Sequence, residues 1–257
     1  MTKIQITKVF GFVTVLVLSS CSNLSTKLTT ATISPSEITA DGTSRLDVMS
    51  SPSQNYTSTS DASARPPTFT ASSYSERILT GTFVHTFWNR VQFGLGLNSD
   101  FAILGTIQFQ LLGEPNKEGF NSTLGVSSDF SSFSKSGNQK GTFGPGGYPW
   151  KASISQNTTS AQFAMGYRLN PNVLPFIGYS QNSHSIKSKI DQSVSTDNSD
   201  QGGSYDKTES ASSKAAGLGL KLTSGNIHFT PIIQWTKFET SLTSTEGVQA
   251  VFVFSIN

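Results

Sequence analysis

FAMGYRLNPNVLPFIGYS, residues 163–180, alternates along two extended runs. Phe163, Met165, Tyr167 and Leu169 share one face of the first run, and Gln162, Ala164, Gly166 and Arg168 share the other, because successive side chains of a strand point to opposite sides. Asn170, Pro171 and Asn172 follow. This is turn chemistry, since Pro fixes φ and Asn tolerates unusual backbone angles. A period of two on both sides of a short turn is the signature of a β-hairpin. The polar face carries Gln, Arg and small residues, with hardly any carboxylate or lysine.

The same pattern recurs twice. Val91, Phe93, Leu95 and Leu97 alternate with Gln92, Gly94 and Gly96. After the turn Asn98-Ser99-Asp100, Phe101, Ile103, Ile107, Phe109 and Leu111 alternate with Ala102, Thr106, Gln108 and Gln110. Ala216, Leu218, Leu220 and Leu222 alternate with Ala215, Gly217, Gly219 and Lys221. Past Ser224-Gly225-Asn226, Ile227, Phe229, Ile233 and Trp235 alternate with His228, Thr230, Gln234 and Thr236. Residues 78–88 supply a first strand, and Val248, Ala250, Phe252, Phe254 and Ile256 a last one.

That makes eight strands, each of roughly the 9–11 residues that a tilted membrane strand needs. The tight turns at 98–100, 170–172 and 223–226 are expected on one rim. The long polar stretches 113–160, 188–212 and 239–247 are expected on the other, with a tight 89–90 link as the exception. Short turns on one rim and long loops on the other predict an all-β fold, an eight-stranded antiparallel up-and-down transmembrane β-barrel with both chain ends on the short-turn rim. Residues 120–157 leave room for one further hairpin.

Composition narrows the class. Charged residues are 13% of the 257 and hydrophobic ones 35%, against about 25% charged in an ordinary globular chain. This argues against both a charged-surface enzyme and a helical membrane protein. A net charge of +2 is too small to suggest nucleic acid.

Alternation alone does not say which face is wet. A soluble lipocalin-like barrel is apolar inside, and a membrane barrel is apolar outside. The polar face decides for the membrane form. It carries Gln92, Gln108, Gln110, Gln162, Thr230 and Gln234, many glycines, and only Arg168 and Lys221 as clear charges. A water-facing surface would be about a quarter to a third charged. Arg168, Lys221, Gln108, Gln162 and Gln234 are therefore expected to form a polar network in the lumen, with a carboxylate such as Asp100 or Glu76. The alternative for Arg168 and Lys221 is a charged constriction that gates a pore, although an eight-stranded lumen is normally filled by its own side chains.

The N-terminal end has its own logic. Lys3 and Lys8 precede an apolar run at 9–18 that is too short to span a bilayer. Leu18-Ser19-Ser20-Cys21 resembles the bacterial lipobox, with the only cysteine of the chain at the acylated position. Residues 1–20 are thus expected to be a lipoprotein signal peptide, and Cys21 a lipid anchor. The resemblance implies the outer membrane, because Ser22 stands where an Asp would signal inner-membrane retention. Residues 21–76 are rich in Ser and Thr and poor in core formers, which predicts a flexible linker. The barrel is then expected over 77–257. SPSEITADGTSRLDV at 34–48 resembles the first strand of bacterial Ig-like, invasin-type domains, but too little follows to finish such a sandwich.

PFIGYS at 175–180, AAGLGLKL at 215–222 and the terminal VFVFSIN resemble the small outer-membrane β-barrel family that includes the transmembrane domain of outer membrane protein A. Two features depart from it. The chain ends on Asn257 rather than an aromatic residue, and Pro231 removes a donor from a strand paired on both sides, where a bulge or weak pairing is expected.

His85, His184 and His228 are too scattered for a metal site. Ser183-His184-Ser185 has the wrong spacing for the His-x-Ser arrangement that the lipid A deacylase type resembles. No catalytic residue, cofactor or metal is expected. Trp88 and Trp235 at the loop side, and Tyr167 and Tyr179 near the opposite rim, suit interfacial aromatic girdles. The long loops carry Phe143, Tyr148 and Trp150.

The resulting expectation is a monomeric, non-enzymatic, lipid-anchored outer-membrane β-barrel in contact with outer-membrane lipids and the barrel-insertion machinery. Its role is structural or surface-binding: envelope integrity, adhesion or host contact, with any extracellular ligand held by 113–160 and 188–212. The alternatives are a soluble lipocalin-like carrier of an apolar ligand and a lipid A-modifying enzyme.

Overall fold

A computed structural model describes residues 22–60, 68–88, 90–140, 147–192, 203–241 and 243–257. Eleven antiparallel strands run in chain order: β1 (Ser22–Thr29), β2 (Ser44–Ser60), β3 (Thr68–Phe87), β4 (Val91–Asn98), β5 (Ile103–Leu112), β6 (Gly119–Lys140), β7 (Gly147–Arg168), β8 (Val173–Gln192), β9 (Gly203–Ser224), β10 (Ile227–Thr240) and β11 (Ser244–Ile256). From β2 onward each strand pairs with the next, and β11 pairs back onto β2, Phe252 to Ile256 against Ser50 to Leu46. The sheet is therefore ring-closed through ten strands. β1 lies outside that succession and pairs only with the far end of β2, Ser22 opposite Ser60.

The ring has ten strands where eight are expected from the sequence, the two unread strands being β2 and β6. β6 lies within the stretch taken as the loop 113–160, where serine and glycine at 119–140 blur the period. Its hairpin with β7 pairs Gly119–Lys140 with Gly147–Arg168 throughout. Likewise β8 and β9 take up most of 188–212. β2 arises from the span expected to be a flexible linker, and its pairing with β3 from Ser44 to Thr59 makes that span part of the ring. The 34–48 segment does not begin an Ig-like sandwich, because it belongs partly to β2 and partly to a path inside the ring.

One missed strand reverses the direction of all that follow it. Even-numbered strands end at what we call the upper rim, and odd-numbered strands at the lower rim. The 98–100 turn therefore points toward the upper side, at mid-height, while the turns at 169–172 and 225–226 are on the lower rim. The three tight turns do not share a rim as expected. Local chemistry still makes each turn. Asn98 Oδ1 accepts from the backbone N–H of Asp100 and Ala102, both at 2.9 Å. Asn170 Oδ1 accepts from Asn172 N–H at 2.9 Å. Gly225 has φ +58, which costs a glycine little. At Pro231 the ladder to β9 skips from Phe229↔Leu222 to Ile232↔Gly219 without changing register, while Pro231 stays paired with Phe252 of β11. The discord produces weak pairing and no bulge.

The molecule has two levels. In the lower half the ring's outer face is apolar: Leu79, Phe83, Leu95, Ile103, Leu124, Ile177, Leu218, Ile233 and Phe254 are exposed, Leu95 by 72%. In the upper half the outer faces of β7, β8 and β9 carry Lys151, Asn157, Lys187, Lys189, Asp206 and Thr208. The inner faces invert in step. Below, they hold Gln92, Gln108, Gln110, Arg168, Lys221, Thr230 and Gln234, all buried. Above, Leu28, Ala152, Ile154, Ile186, Ile190, Ala211 and Phe238 form a closed apolar core, with Phe133 packed on it.

The upper half is therefore a two-layer sandwich. Above Ser50, β2 no longer pairs with β11 and takes β1 on that edge instead. The β1–β2–β3 layer faces the wall of β6 to β10, and Leu28 of β1 carries the contact. The short β4–β5 hairpin stops at the junction of the two levels. No described strand pairs with the outer edge of β3 at 68–79 or of β6 at 131–140.

Candidate functional site: a strap through the ring

Between β1 and β2, residues 30–43 run down the inside of the ring and return at the lower rim, where Gly42 (φ +66) makes the turn and its N–H donates to Thr86 O at 3.0 Å. This strap has no ladder of its own among the described residues. Its backbone groups would be orphaned in a lumen, and side chains of the wall supply the partners.

Ala31 N–H donates to Ser213 Oγ at 2.8 Å. Gln234 of β10 bonds the strap twice, accepting from Ile33 N–H at 3.2 Å and donating to Ala31 O at 2.9 Å. Gln110 accepts from Ile38 N–H and Gln92 from Thr39 N–H, each at 3.0 Å. Gln108 donates to Ser34 Oγ at 2.9 Å, and Thr123 Oγ1 to Pro35 O at 3.1 Å. Two glycines make room. A Cβ on Gly166 would sit 2.5 Å from Ser36 Oγ, and one on Gly178 3.1 Å from Ile33 Cβ. The strap's apolar side chain Ile33 packs with Ala164, Phe176, Ile232 and Val251.

The carboxylate that meets Arg168 and Lys221 is Glu37 of the strap. Its side chain is fully buried and ion-paired to Arg168, with Arg168 Nε to Glu37 Oε1 at 3.1 Å. Lys221 Nζ lies 3.5 Å from Glu37 Oε2, and Asn116 N–H also donates to Glu37. Arg168 further donates to Pro171 O at 2.6 Å, which ties the pair to the β7–β8 turn. Arg45 and Asp47 of β2 form a second pair on the same floor, at 2.6 Å. Glu37, Arg45, Asp47 and Lys221 all line a cavity of about 180 Å³ beside the strap, with Gln108, Gln162 and Asp129 further along it. Gln162 has no hydrogen bond to the strap.

The structure thus brings Arg168 and Lys221 onto one carboxylate and turns Gln108 and Gln234 toward the strap. Asp100 and Glu76 are not the acidic partners. They meet Lys27 of β1 instead, at 3.7 Å and 3.0 Å. The hydrogen bond between that pair raises the Lys27 pKa above its usual value and lowers that of Glu76. Sequence reasoning missed Glu37 because the strap has no period. The only signal was the excess of inward amides with nothing to bond.

His184 is buried, accepts or donates at Thr158 Oγ1 (3.0 Å), and packs on Phe238; Ser185 lies on the opposite strand face. His85 and His228 bond Ser44 and Thr223. No group of three His, Cys, Asp or Glu residues suited to a metal ion occurs among the described residues. Trp88 lies on the lower rim with Tyr167, not on the opposite side from it. Trp235 and Tyr179 lie near the top of the apolar band. Residues 1–21, with the proposed signal peptide and Cys21, and Phe143 fall outside the described residues, as do the side chains of Tyr148 and Trp150.

No family model matches the chain, and no curated protein does. Among solved structures the chain is similar to Ail, the attachment invasion locus protein of Yersinia pestis, solved in complex with the heparin analogue sucrose octasulfate. The two share 10% identity over 84% of this chain and 97% of that one, with a TM-score of 0.35.

Proposed function

We propose that the chain is an outer-membrane β-barrel lipoprotein whose lower half crosses the bilayer and whose upper half projects as a structural or surface-binding head. The observation that carries this reading is the outer face. Ten strands present Leu, Ile, Phe and Val outward in a band below the junction, which in water would be an apolar patch far beyond the few hundred Å² of a soluble monomer. Ring closure satisfies every strand edge in that band, as a membrane requires. A lipocalin-like carrier needs the reverse arrangement.

The head is suited to binding rather than catalysis. Its outer face is polar, its core is already filled, and β3 and β6 leave edges of roughly ten residues to which an extended segment of a partner can add. Adhesion or host contact is the role that such a surface serves best, and the lipid A-modifying alternative has no convergent His, Ser and carboxylate among the described residues to support it.

The lipobox supports acylation at Cys21. Ser22, the first described residue, lies opposite Ser60 at the upper rim, not on the lower rim as expected for both chain ends. Ten residues of β2 separate Ser60 from the band, about 33 Å of strand at about 3.3 Å per residue.

Heat-modifiability tests the reading. Protein extracted from outer membranes with detergent should run compactly on a gel and shift on boiling. A freely soluble, unshifted ring would overturn it.

A further inference from the structure

The lumen contains an occupant that the ring does not need. Residues 30–43 contribute nothing to the β2–β11 closure; between the backbone bonds of Thr30 to Pro52 and of Gly42 and Thr43 to Thr86 at its two ends, the strap is held mainly by side chains of the wall. At the lower end the strap sets Glu37 against Arg168 and Lys221, with the Arg45–Asp47 pair on the same floor. Withdrawing Glu37 removes a carboxylate that offsets these cations. Beside the strap a cavity of about 180 Å³ already runs along the wall.

We propose that the strap is a displaceable plug, that Glu37 occupies an anion-binding constriction at the lower rim, and that withdrawing the strap opens a pore selective for small anions. This rests on the reading of the ring as membrane-spanning. The strap's N-terminal end leads through β1, paired with β2, to the upper rim, so the plug is drawn from the head side. Its other end stays tethered through Gly42 to β2. Small solutes then pass amides, hydroxyls and the Asp129 carboxylate of the wall above a floor of Arg45, Arg168 and Lys221. Such a ring of positive side chains is the arrangement that selects anions.

The test is single-channel recording of the full-length protein in planar bilayers under a potassium chloride gradient. Three full-length forms are compared. In the double variant I33C/G178C, the two Cβ positions are close enough for a disulfide once they relax toward about 3.8 Å. E37Q removes the charge that holds the plug down. The unmodified protein is the third. The expected result is rare openings in the unmodified protein, none in the oxidised double variant until it is reduced, and an open probability at least roughly ten-fold higher in E37Q. The reversal potential should favour chloride, and R45Q/K221Q should weaken that preference in the E37Q background.

Openings that are equal in the oxidised and reduced double variant would overturn the plug. Cation selectivity would overturn the anion site. A heat-modifiable, membrane-inserted protein that never conducts in any form sinks this proposal alone, whereas failure to insert at all sinks the membrane reading with it.

Discussion

The outer face of β8 reads Ile177 and Tyr179 in its lower part and Gln181, Ser183, Lys187 and Lys189 in its upper part. Its inner face reads Ser180, Asn182 and His184, then Ile186 and Ile190. The pleat never slips. The same strand, in the same register, is apolar outside on one side of the junction and polar outside on the other, as the proposed change from hydrocarbon to water requires, and its inner face changes with it. Each half obeys the rule for its own solvent: apolar out and polar in for a membrane ring, polar out and apolar in for a soluble sandwich. The strap links the two, bonded to polar wall below and leading into Leu28 of the apolar core above.

The difference can be broken from either side. The largest effect is expected at the polar floor. Arg168→Ala leaves Glu37 buried without its closest partner, with Lys221 and Asn116 still beside it, and loss of one partner of a buried pair costs about 3–5 kcal/mol. Urea titration of the gel-shifting form should show that loss. Next is the outer face. Ile177→Arg, in the band, should cost about 2–4 kcal/mol in lipid bilayers, while Ser183→Arg, six residues up the same face, should stay within about 0.5 kcal/mol. The upper core is less demanding. Ile186→Val removes one methylene and should cost about 0.5–1.5 kcal/mol, which hydrogen exchange would report in the head and not in the band.

The smallest effect is at the strand that leads into the strap. Lys27→Met breaks a half-exposed ion pair with Glu76 and should cost under about 1 kcal/mol. Its pH signature has a definite sign. The Glu76 pKa is lowered in the folded protein, so its contribution is present above the usual carboxylate pKa and fades as pH falls through the lowered folded value. For Lys27, whose pKa is raised, the contribution is present below the usual lysine pKa and is lost as pH rises through the raised one. Protection of β1 against exchange should weaken at both extremes in the unmodified protein; in Lys27→Met the alkaline loss should vanish and the acid loss shrink to what the Asn55–Glu76 hydrogen bond leaves.

The lower half was legible because its outer face is apolar at nearly every turn of the pleat. Val91 to Leu111 and Ala216 to Trp235 alternate cleanly, with an apolar outer residue at nearly every second position. The upper half was read as loop because water permits polar residues outside and small ones inside. In β6 and β9 that leaves Ser, Thr and Gly on both faces and no period to detect. β2 was hidden for the same reason, having only Leu46 and Val48 in the band. The strap was illegible in principle: its conformation is fixed by Gln92, Gln108, Gln110 and Gln234 on other strands and by no pattern of its own. The amides were visible in the sequence, but what they bond was not.

The proposed change of solvent along the unbroken strand β8 can be read with single cysteines placed in turn at Ile177, Tyr179, Gln181, Ser183, Ser185 and Lys187 in membrane-embedded protein, each probed with a membrane-impermeant maleimide and with a lipid-soluble one. Cysteines at 177 and 179 should react only with the lipid-soluble reagent and those at 183, 185 and 187 with the impermeant one, with the switch near 181. Impermeant labelling at 177 as fast as at 187 would contradict it.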